Sequence, residues 1–343
     1  MSGSLAGLRI VEMGGIGPVP FAAMMLSDHG ASTICVQRPG GSIAPFDPRD
    51  ALSRNRAETI TIDLSSDAGR EQALALCRDA DAILEGFRPG VMERLGLGPE
   101  VLHTHNPRLV YGRMTGWGQD GPLAGEVGHD INYLALSGVL STIVDGDGRP
   151  VPPQNMLADY AGGGMMLAFG VVAALLAVRG GASGQVVDAA MVEGAALVGA
   201  FARSMRVLGM HPGAPGTNLL DGGAPFYRCY RCADGGFVAV GAIEPAFYSA
   251  LLDRLGLGGD ARFDPQMDMG QWPARAALLE TIFLQRDRDN WARHFAGSDA
   301  CVTPVLSLDE ATLHPHAMAR GNFIDGGGAP QSAPAPRIAP HRP

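Results

Sequence analysis

The chain has 343 residues and a formal net charge of -9 at pH 7. All 26 basic residues are arginines, so the composition excludes mechanisms that need a lysine, such as Schiff-base aldolases, pyridoxal phosphate enzymes, P-loop NTPases and protein kinases. The negative charge and the lack of a basic run argue against nucleic-acid binding. A hydrophobic content of 46% is enough for a full-sized core.

The cysteines and the apolar segments indicate in which cellular compartment the protein is expected. The five cysteines are scattered and odd in number, which predicts reduced thiols in a cytoplasmic protein. Cys229 and Cys232 form a C-x-x-C pair, but the further ligands of a zinc site are not nearby, so we expect no metal. The N-terminus lacks the pattern of a signal peptide. The apolar run 161–178 is typical of a buried helix, so we expect no membrane partner.

The first half of the chain alternates short apolar runs with helical segments. We predict strands at residues 8–13, 33–37, 59–64, 82–85 and 109–113, and helices at 21–28 and 67–78. This alternation is typical of a doubly wound α/β fold with a parallel sheet. We therefore expect a large Rossmann-like domain at 1–190.

From residue 128 onward the pattern becomes mainly helical. We predict helices at 131–140, 157–178, 191–207, 246–255, 273–285 and 288–295, and a strand at 185–190. A hairpin of 226–232 with 237–241 closes around an Asp-Gly turn. The Gly/Pro-rich stretch 209–223 is typical of a linker, and the tail from 325 has no periodic pattern. The predicted organisation beyond the large domain is a helix and linker at 191–224, a small α+β domain at 225–315, and a return linker with a Pro-rich tail at 316–343.

The first strand–helix turn does not match a dinucleotide-binding fingerprint. Gly15-x-Gly17 lacks the third glycine, and Arg38 stands where that fingerprint has an acidic residue. A positive residue there fits a phosphomonoester, as on NADP or on the 3′-phosphate of coenzyme A, although a solvated strand end explains Arg38 equally simply. Other arginines at or near loops of the same domain are expected to extend an anion-binding edge: Arg54, Arg56, Arg88 and Arg94.

Three titratable side chains stand near predicted helix starts. His129 precedes a helical run, where the helix dipole favours the neutral base, and Asp130 is a natural N-cap there. Asp159 lies in an apolar run, where burial raises a carboxyl pKa toward an acid–base range. Glu244 opens a helix after a strand. A structural histidine, an N-cap and a helix-start charge are the ordinary alternatives, and spacing alone does not decide between them.

Four segments carry a resemblance to a known family: Gly-His-Asp-Ile-Asn-Tyr at 128–133, Met-Thr-Gly-Trp-Gly-Gln at 114–119, Asp-Gly-Gly-Ala-Pro at 221–225 and Val-Gly-Ala-Ile-Glu-Pro at 240–245. With them, the chain resembles the α-methylacyl-CoA racemases of the family III CoA-transferase (CaiB/BaiF) superfamily over nearly its whole length. The resemblance implies two domains joined by linkers, an interlocked homodimer, and an active site between the large domain of one chain and the small domain of the other. It also implies an isomerase that inverts the α-carbon of a 2-methyl-branched acyl-CoA. Coenzyme A is then part of the substrate, and no cofactor is expected.

The same resemblance implies roles by matching position. His129 matches the base on one face of the α-carbon, and Asp159 matches its counterpart on the other face. Glu244 matches the carboxylate that hydrogen-bonds the histidine, contributed by the second chain. Arg38 matches a contact to a CoA phosphate. Further substrate or CoA contacts are expected from Ile62, Asp63, Leu64, Ser65, Arg88, Arg94, Gly128, Asp130, Ile131, Asn132 and Tyr133.

Two other functions are possible for a chain with these motifs. Transferases of the superfamily use the aspartate that matches Asp159 as a nucleophile and form an acyl-enzyme anhydride. They typically lack the histidine of the Gly-His-Asp motif, so the presence of His129 favours the racemase. A CoA-binding regulatory or scaffold protein is expected to have lost His129, Asp159 or Glu244, and all three are present. For the racemase, we expect backbone N–H groups near Asp159 and Gly128 to stabilise the enolate oxygen.

Overall fold

The computed structural model describes residues 3–40, 52 and 54–339. Within these residues the chain divides by its internal contacts into two units. The first unit takes the described parts of Met1–Leu140, Pro152–Ala200 and Phe323–Pro343, and the second takes Ser141–Val151 and Phe201–Asn322. The chain therefore leaves the first unit and returns to it twice.

A parallel sheet forms the centre of the first unit. Its strands are β1 (Arg9–Met13), β2 (Ser32–Gln37), β3 (Glu58–Thr61), β4 (Ala82–Glu85), β5 (Val110–Thr115) and β6 (Val186–Ala190). Among the described residues these six strands lie in the order β3-β2-β1-β4-β5-β6, and every neighbouring pair is parallel. This is the strand order of the Rossmann fold, so the predicted α/β class with a parallel sheet is confirmed.

The central strands are buried on both faces, which explains why they read as continuous apolar runs. Every residue of β4 is buried, and so are the last four residues of β1. At the sheet edge the prediction was less accurate, because the strand expected at 59–64 ends at Thr61. Asp63 accepts a hydrogen bond from the backbone N–H of Ser65 at 3.0 Å, and this turn ends the extended chain.

Helices cover both faces of the sheet. They are α1 (Pro18–Asp28), α2 (Asp67–Arg78), α3 (Val91–Arg94), α4 (Pro99–His105), α5 (Asp130–Ser137), a π-helix (Met156–Gly164), α6 (Met165–Arg179) and α7 (Met191–Val198). Ile10 packs in a core cluster with side chains of α1 and α6, while its neighbour Val11 packs in another with side chains of α2 and α4. Because neighbouring strand residues point to opposite faces, the unit has three layers. The short helices α3 and α4 were not predicted, since so few residues show no clear period.

The segment predicted as one helix, 157–178, consists of a π-helix followed by an α-helix. Its first part, Met156–Gly164, is a π-helix, and the α-helical part α6 begins at Met165. The combined stretch Met156–Arg179 is long and apolar enough to cross a membrane by length and composition, and half of its most apolar window is buried in the structure. Similarly, the helix predicted at 191–207 ends at Val198, and a separate helix, α8 (Ala200–Val207), follows Gly199.

Glycines bring the π-helix into direct backbone contact with α7. A Cβ atom on Gly194 of α7 would lie 1.7 Å from the carbonyl oxygen of Gly162. We expect Gly194→Ala to lower the free energy of unfolding by about 3 kcal/mol, the upper range for overpacking, because the three nearest obstructing atoms all belong to the backbone of Gly162. Gly125→Ala is the control, since nothing lies within 4 Å of its Cβ position. Urea unfolding of both variants measures the difference, and equal stabilities would contradict the expected close contact.

The second unit is built around an antiparallel sheet. The elements after α8 are β7 (Tyr227–Arg231), β8 (Phe237–Gly241), α9 (Pro245–Leu255), α10 (Trp272–Phe283), α11 (Arg288–Phe295), β9 (Val302–Pro304), α12 (Leu308–Leu313), α13 (Pro315–Arg320), β10 (Phe323–Asp325) and β11 (Pro330–Ser332). Strand β8 pairs with β7 and β9, so the predicted hairpin is present. The short strand β9 was not predicted. The tail, expected to lack regular structure, forms the hairpin β10–β11 on the first unit.

Candidate active site

Three of the arginines predicted to bind anions are exposed on segments that follow parallel strands. Arg38 comes directly after β2, Arg88 lies three residues after β4, and Arg94 ends α3; all three are exposed. Carboxyl ends of parallel strands meet at one edge of a sheet, which is where ligands of such folds bind. These three arginines are therefore placed where an anionic ligand would approach.

Two other arginines were wrongly expected to join this edge. Arg56 forms two hydrogen bonds of 2.7 Å to the Glu12 carboxylate, and both side chains are almost fully buried. Arg54 pairs with Asp28 at 2.6 Å, and that carboxylate is buried too. Both guanidinium groups already have a carboxylate partner, so their role is internal charge pairing.

The segment 62–65 presents polar atoms rather than apolar side chains. Ile62 is 2% exposed and packs in the core, and Leu64 packs partly against the same cluster. Asp63 is exposed, and hydrogen bonds from the hydroxyl and the backbone of Ser65 lower the pKa of its carboxyl. Asp63 and Ser65 are therefore the members of this segment most available to a ligand.

The residues of the Gly-His-Asp-Ile-Asn-Tyr motif hold one another at the start of α5. The Tyr133 hydroxyl donates to the carbonyl oxygen of Gly128 at 2.5 Å, and its ring packs edge-on against Trp117 at 4.7 Å. A Cβ on Gly128 would meet both rings at less than 3 Å, so only glycine fits there. Burial raises the pKa of Tyr133 to about 12. Tyr133, predicted as a substrate contact, is 5% exposed, and its side chain supports the loop that precedes the histidine.

His129 is the N-cap residue of α5 and is exposed. Its backbone N–H donates to the side-chain oxygen of Asn132 at 3.0 Å, which fixes the helix start. Asn132 and Ile131 are also exposed, in the first turn of the helix. The sequence prediction of a histidine at a helix N-terminus is confirmed, whereas the natural N-cap expected there, Asp130, is the first helical residue instead.

The carboxylate of Asp130 serves a different helix. It is 4% exposed, and its Oδ2 accepts hydrogen bonds from the backbone N–H groups of Ala158 at 2.7 Å and Asp159 at 2.9 Å. These two N–H groups were among the predicted donors to an enolate oxygen, and Asp130 already occupies them. Asp130, predicted as a substrate contact, is therefore a buried residue that holds the start of the π-helix.

Asp159 lies in the first turn of the π-helix, beside the turn between β1 and α1. Its Oδ2 lies 3.7 Å from the position that a Cβ on Gly17 would occupy. The side-chain amide of Asn155 donates to the same oxygen at 3.1 Å. Asn155 holds the N-cap position, so the alternative of Asp159 as an N-cap is wrong. Sequence reasoning missed Asn155; its only signal was a polar residue four positions before the carboxylate.

The electrostatic surroundings of Asp159 favour its protonated form. Burial raises the pKa of its carboxyl; the Asn155 hydrogen bond opposes this, the Asp130 carboxylate adds to it, and the imidazole of His129 opposes it. The nearby N-terminus of α1 carries prolines at positions 18 and 20, which have no N–H to offer a carboxylate. Asp159 is therefore half-buried, close to a histidine and protonated more readily than an ordinary aspartate.

Glu244 lies in the second unit as the N-cap residue of α9. It is exposed, its side chain makes no capping hydrogen bond, and Pro245 is the first helical residue. The side-chain amide of Gln266 donates to the carbonyl oxygen of Ile243 at 2.8 Å and holds the preceding turn. The predicted helix start with proline is confirmed. Since Glu244 does not cap its own helix, its carboxylate is available to another group.

Comparisons with known proteins identify the family of this chain. The chain matches CoA-transferase family III over residues 5–341. It is 45% identical over 337 residues to the alpha-methylacyl-CoA racemase of Homo sapiens, covering 98% of this chain and 86% of that protein. It is 30% identical to the acetyl-CoA:oxalate CoA-transferase of Acetobacter aceti, over 95% of this chain and 87% of that one.

A solved structure with the same fold comes from the same group of proteins. A CAIB/BAIF family protein from Brucella suis superposes with a TM-score of 0.82 at 25% identity, over 99% of this chain and 93% of that one. The family match extends over almost the whole chain, and it includes both the parallel sheet and the segments that carry His129 and Asp159. The chain belongs to CoA-transferase family III.

Proposed function

We propose that this protein is an isomerase that inverts the α-carbon of 2-methyl-branched acyl-CoA thioesters. The observation that carries the proposal is that the exposed His129 and the half-buried carboxyl of Asp159 belong to one site, since Asp130, the residue after His129, accepts the Asp159 backbone N–H at 2.9 Å. Racemisation needs two groups of this kind, one able to accept a proton while the other can donate one. The racemase relative at 45% identity supports the same reaction.

The two groups share one proton. In one direction the neutral imidazole of His129 removes the α-proton, the C–H electron pair moves into a thioester enolate, and protonated Asp159 delivers its proton to the opposite face. In the reverse direction the Asp159 carboxylate removes the proton and the imidazolium returns one. The reaction is redox-neutral and needs no cofactor, since coenzyme A is part of the substrate.

The start of α5 is the proposed site of enolate stabilisation. The first N–H groups of a helix have no partner within it, and the helix dipole favours negative charge at that end. Asp130 and Ile131 contribute such N–H groups next to His129. Since Asp130 already occupies the N–H groups of Ala158 and Asp159, α5 supports the enolate better than the π-helix does.

Arginines are the proposed phosphate contacts of the CoA moiety. With no lysine in the chain, side-chain charge for the pyrophosphate and the 3′-phosphate has to come from arginine. Arg38, Arg88 and Arg94 are exposed on segments that follow β2 and β4. The exposed polar groups of Asp63 and Ser65 are proposed to border the same ligand.

We further propose that the active protein is a homodimer in which Glu244 of one chain orients His129 of the other. An apolar stripe on α6 supports an assembly, because Met165, Phe169 and Leu176 follow one another at helical spacing and are all exposed. Phe169 is 73% exposed, which is unusual for a large aromatic side chain. Light scattering tests the dimer, and co-expressing Glu244→Ala with His129→Ala chains, each expected to be inactive alone, tests the sharing of residues by restored activity.

The experiment that tests the reaction uses (2R)- or (2S)-2-methylacyl-CoA in D₂O. Deuterium incorporation at the α-carbon with loss of chirality is the expected result. The second candidate function is CoA transfer, with Asp159 as a nucleophile that forms an anhydride. CoA transfer to a free carboxylate without α-exchange would replace the racemase by the transferase. The exposed His129 beside Asp159 favours the racemase, since anhydride formation has no need of it.

Asn155→Ala is expected to shift the pH dependence of the reaction. The Asn155 hydrogen bond lowers the pKa of Asp159, so its loss raises that pKa further above the usual aspartate value. In the direction that uses Asp159 as the base, the acidic limb of kcat/KM should move to higher pH. Thr104→Ala, which loses only an exposed hydrogen bond within helix α4, is the control. An unmoved limb in Asn155→Ala would mean that this amide does not act on Asp159.

A further inference from the structure

The chain neighbour of His129 is hydrogen-bonded to the main chain of Asp159. Asp130 directly follows the histidine, and its Oδ2 accepts from the Asp159 backbone N–H at 2.9 Å and from that of Ala158 at 2.7 Å. The Asp130 side chain thus links the residue next to His129 with the backbone of Asp159. No other residue of the Gly-His-Asp-Ile-Asn-Tyr motif makes a hydrogen bond to the π-helix among those found between the described residues.

The π-helix is capped from a distant segment by Asp130 rather than by the residue at its own N-cap. The N-cap of α5 is His129, and that of the π-helix is Asn155, whose side chain binds the Asp159 carboxylate rather than a backbone N–H. Asp130 is instead 4% exposed, and its second oxygen, Oδ1, is buried with no hydrogen-bond partner within the described part of the chain. Burying a carboxylate that is only half satisfied is costly, which points to a role beyond the stability of one helix.

We propose that Asp130 is a positioning residue that sets the separation between His129 and Asp159 by holding the Asp159 backbone from the position next to the histidine. This inference rests on the proposed racemisation, in which both groups must reach the same α-carbon. A displacement of about 1 Å at a reacting group can cost about 10²-fold in rate. A direct link between the two segments restricts such displacements.

Asp130 also acts on Asp159 through its charge. The charged and titratable groups that act on the Asp159 carboxyl are Asp130 and His129, while Asp159 in turn raises the pKa of the neighbouring Tyr133. Burial is the largest cause of the raised pKa of Asp159, and the Asp130 carboxylate adds to it. Removing that charge while keeping the hydrogen bonds should therefore lower the pKa of Asp159.

Two substitutions separate position from charge. Asp130→Ala removes both hydrogen bonds, and we expect kcat to fall by about 10²-fold with KM changed less than about threefold. In Asp130→Asn the amide oxygen can accept the same two N–H groups, so most of kcat should return. The limb of the pH–rate profile that reports Asp159 should then lie at lower pH than in the wild type.

Asp81→Asn is the matched control. Asp81 also accepts a backbone N–H from a distant segment, that of Arg9 at 2.8 Å, but it precedes β4 at the opposite edge of the parallel sheet. We expect this variant to retain the wild-type kcat and pH profile. Circular dichroism and thermal unfolding establish that each variant is folded at the assay temperature.

A titration without turnover keeps this inference separate from the proposed function. The Asp159 carboxyl is followed by ¹³C NMR in protein with labelled aspartate, and the signal is assigned as the one lost in Asp159→Asn. A lower pKa of Asp159 in Asp130→Asn supports the direct action of Asp130 on Asp159 even if the wild type shows no α-proton exchange, and that absence of exchange would overturn the racemase rather than the contact between the two residues. Wild-type kcat in Asp130→Ala, or an unchanged Asp159 titration in Asp130→Asn, would overturn the role of Asp130.

Discussion

Asp159→Asn is expected to stop racemisation while leaving exchange of the α-proton in one enantiomer. The amide can keep the hydrogen bond from Asn155, made at 3.1 Å in the wild type, but it cannot act as an acid or a base in the reaction. Loss of a positioned acid–base group costs about 10²–10⁴-fold in rate. His129 remains, so it still removes and returns the proton on its own face of the α-carbon.

His129→Asn should give the mirror-image result. Asparagine is a favourable N-cap, and the Asn132 hydrogen bond is made by the backbone of residue 129, so the start of α5 should survive. Racemisation is lost again, and the opposite enantiomer now exchanges its α-proton with D₂O. Chiral chromatography follows racemisation, and mass spectrometry follows exchange, for each pure enantiomer with each variant.

The pattern of exchange is more decisive than the loss of rate. If both variants exchange the same enantiomer, the two groups do not face opposite sides of the α-carbon, and the two-base assignment is wrong. If Asp159→Asn loses CoA transfer instead, while the wild type shows no exchange, the aspartate is a nucleophile. Ser65→Ala serves as a folded variant with an altered side chain at the proposed edge of the ligand, for which KM rather than kcat should change.

Arg56→Ala is expected to be the most destabilising single change considered. It leaves the Glu12 carboxylate, whose side chain is 1% exposed, without the two hydrogen bonds of 2.7 Å that it accepts. Breaking a buried ion pair by removing one partner costs about 3–5 kcal/mol, because a charge stays buried without compensation. Chemical unfolding at pH 7 measures this loss.

The loss should depend on pH in a definite direction. Burial raises the folded-state pKa of Glu12 even though the Arg56 charge opposes it, and removing Arg56 raises that pKa further. The contribution of such a carboxyl to stability is complete below its unfolded pKa of about 4.3 and falls as pH rises through its folded pKa. The deficit of Arg56→Ala relative to the wild type should therefore be smallest at acidic pH and grow toward neutral pH.

An exposed arginine provides the control for Arg56. Arg9 and Asp79 lie 3.8 Å apart with side chains 51% and 72% exposed, so solvent screens their attraction. Arg9→Ala should change stability by less than about 1 kcal/mol at any of these pH values. A deficit in Arg56→Ala as small as this, or one that does not vary with pH, would show that the Glu12 charge is not the cause.

The structure also explains why some sequence predictions were accurate and others were not. The central strands were found because a strand buried on both faces is a continuous apolar run, and the His129 helix start was found because it follows a Gly/Pro loop. The strand at 302–304 and the helix at 91–94 were missed, since three or four residues show no period. The hairpin in the tail was missed because pairing of its short strands, not their composition, defines it.

The sequence by itself determined the α/β class, the order of the main strands and helices, and the need for arginine wherever this protein holds a phosphate. It also marked two candidates for proton transfer, His129 because it precedes a helical run and Asp159 because it lies in an apolar run. Only the tertiary structure decided which polar groups face each other. Arg56 turns inward to a glutamate 44 positions away, and Asp130 reaches the backbone of a residue 29 positions away. Such pairings depend on how distant segments of the chain pack, and the local sequence does not encode which segments come into contact.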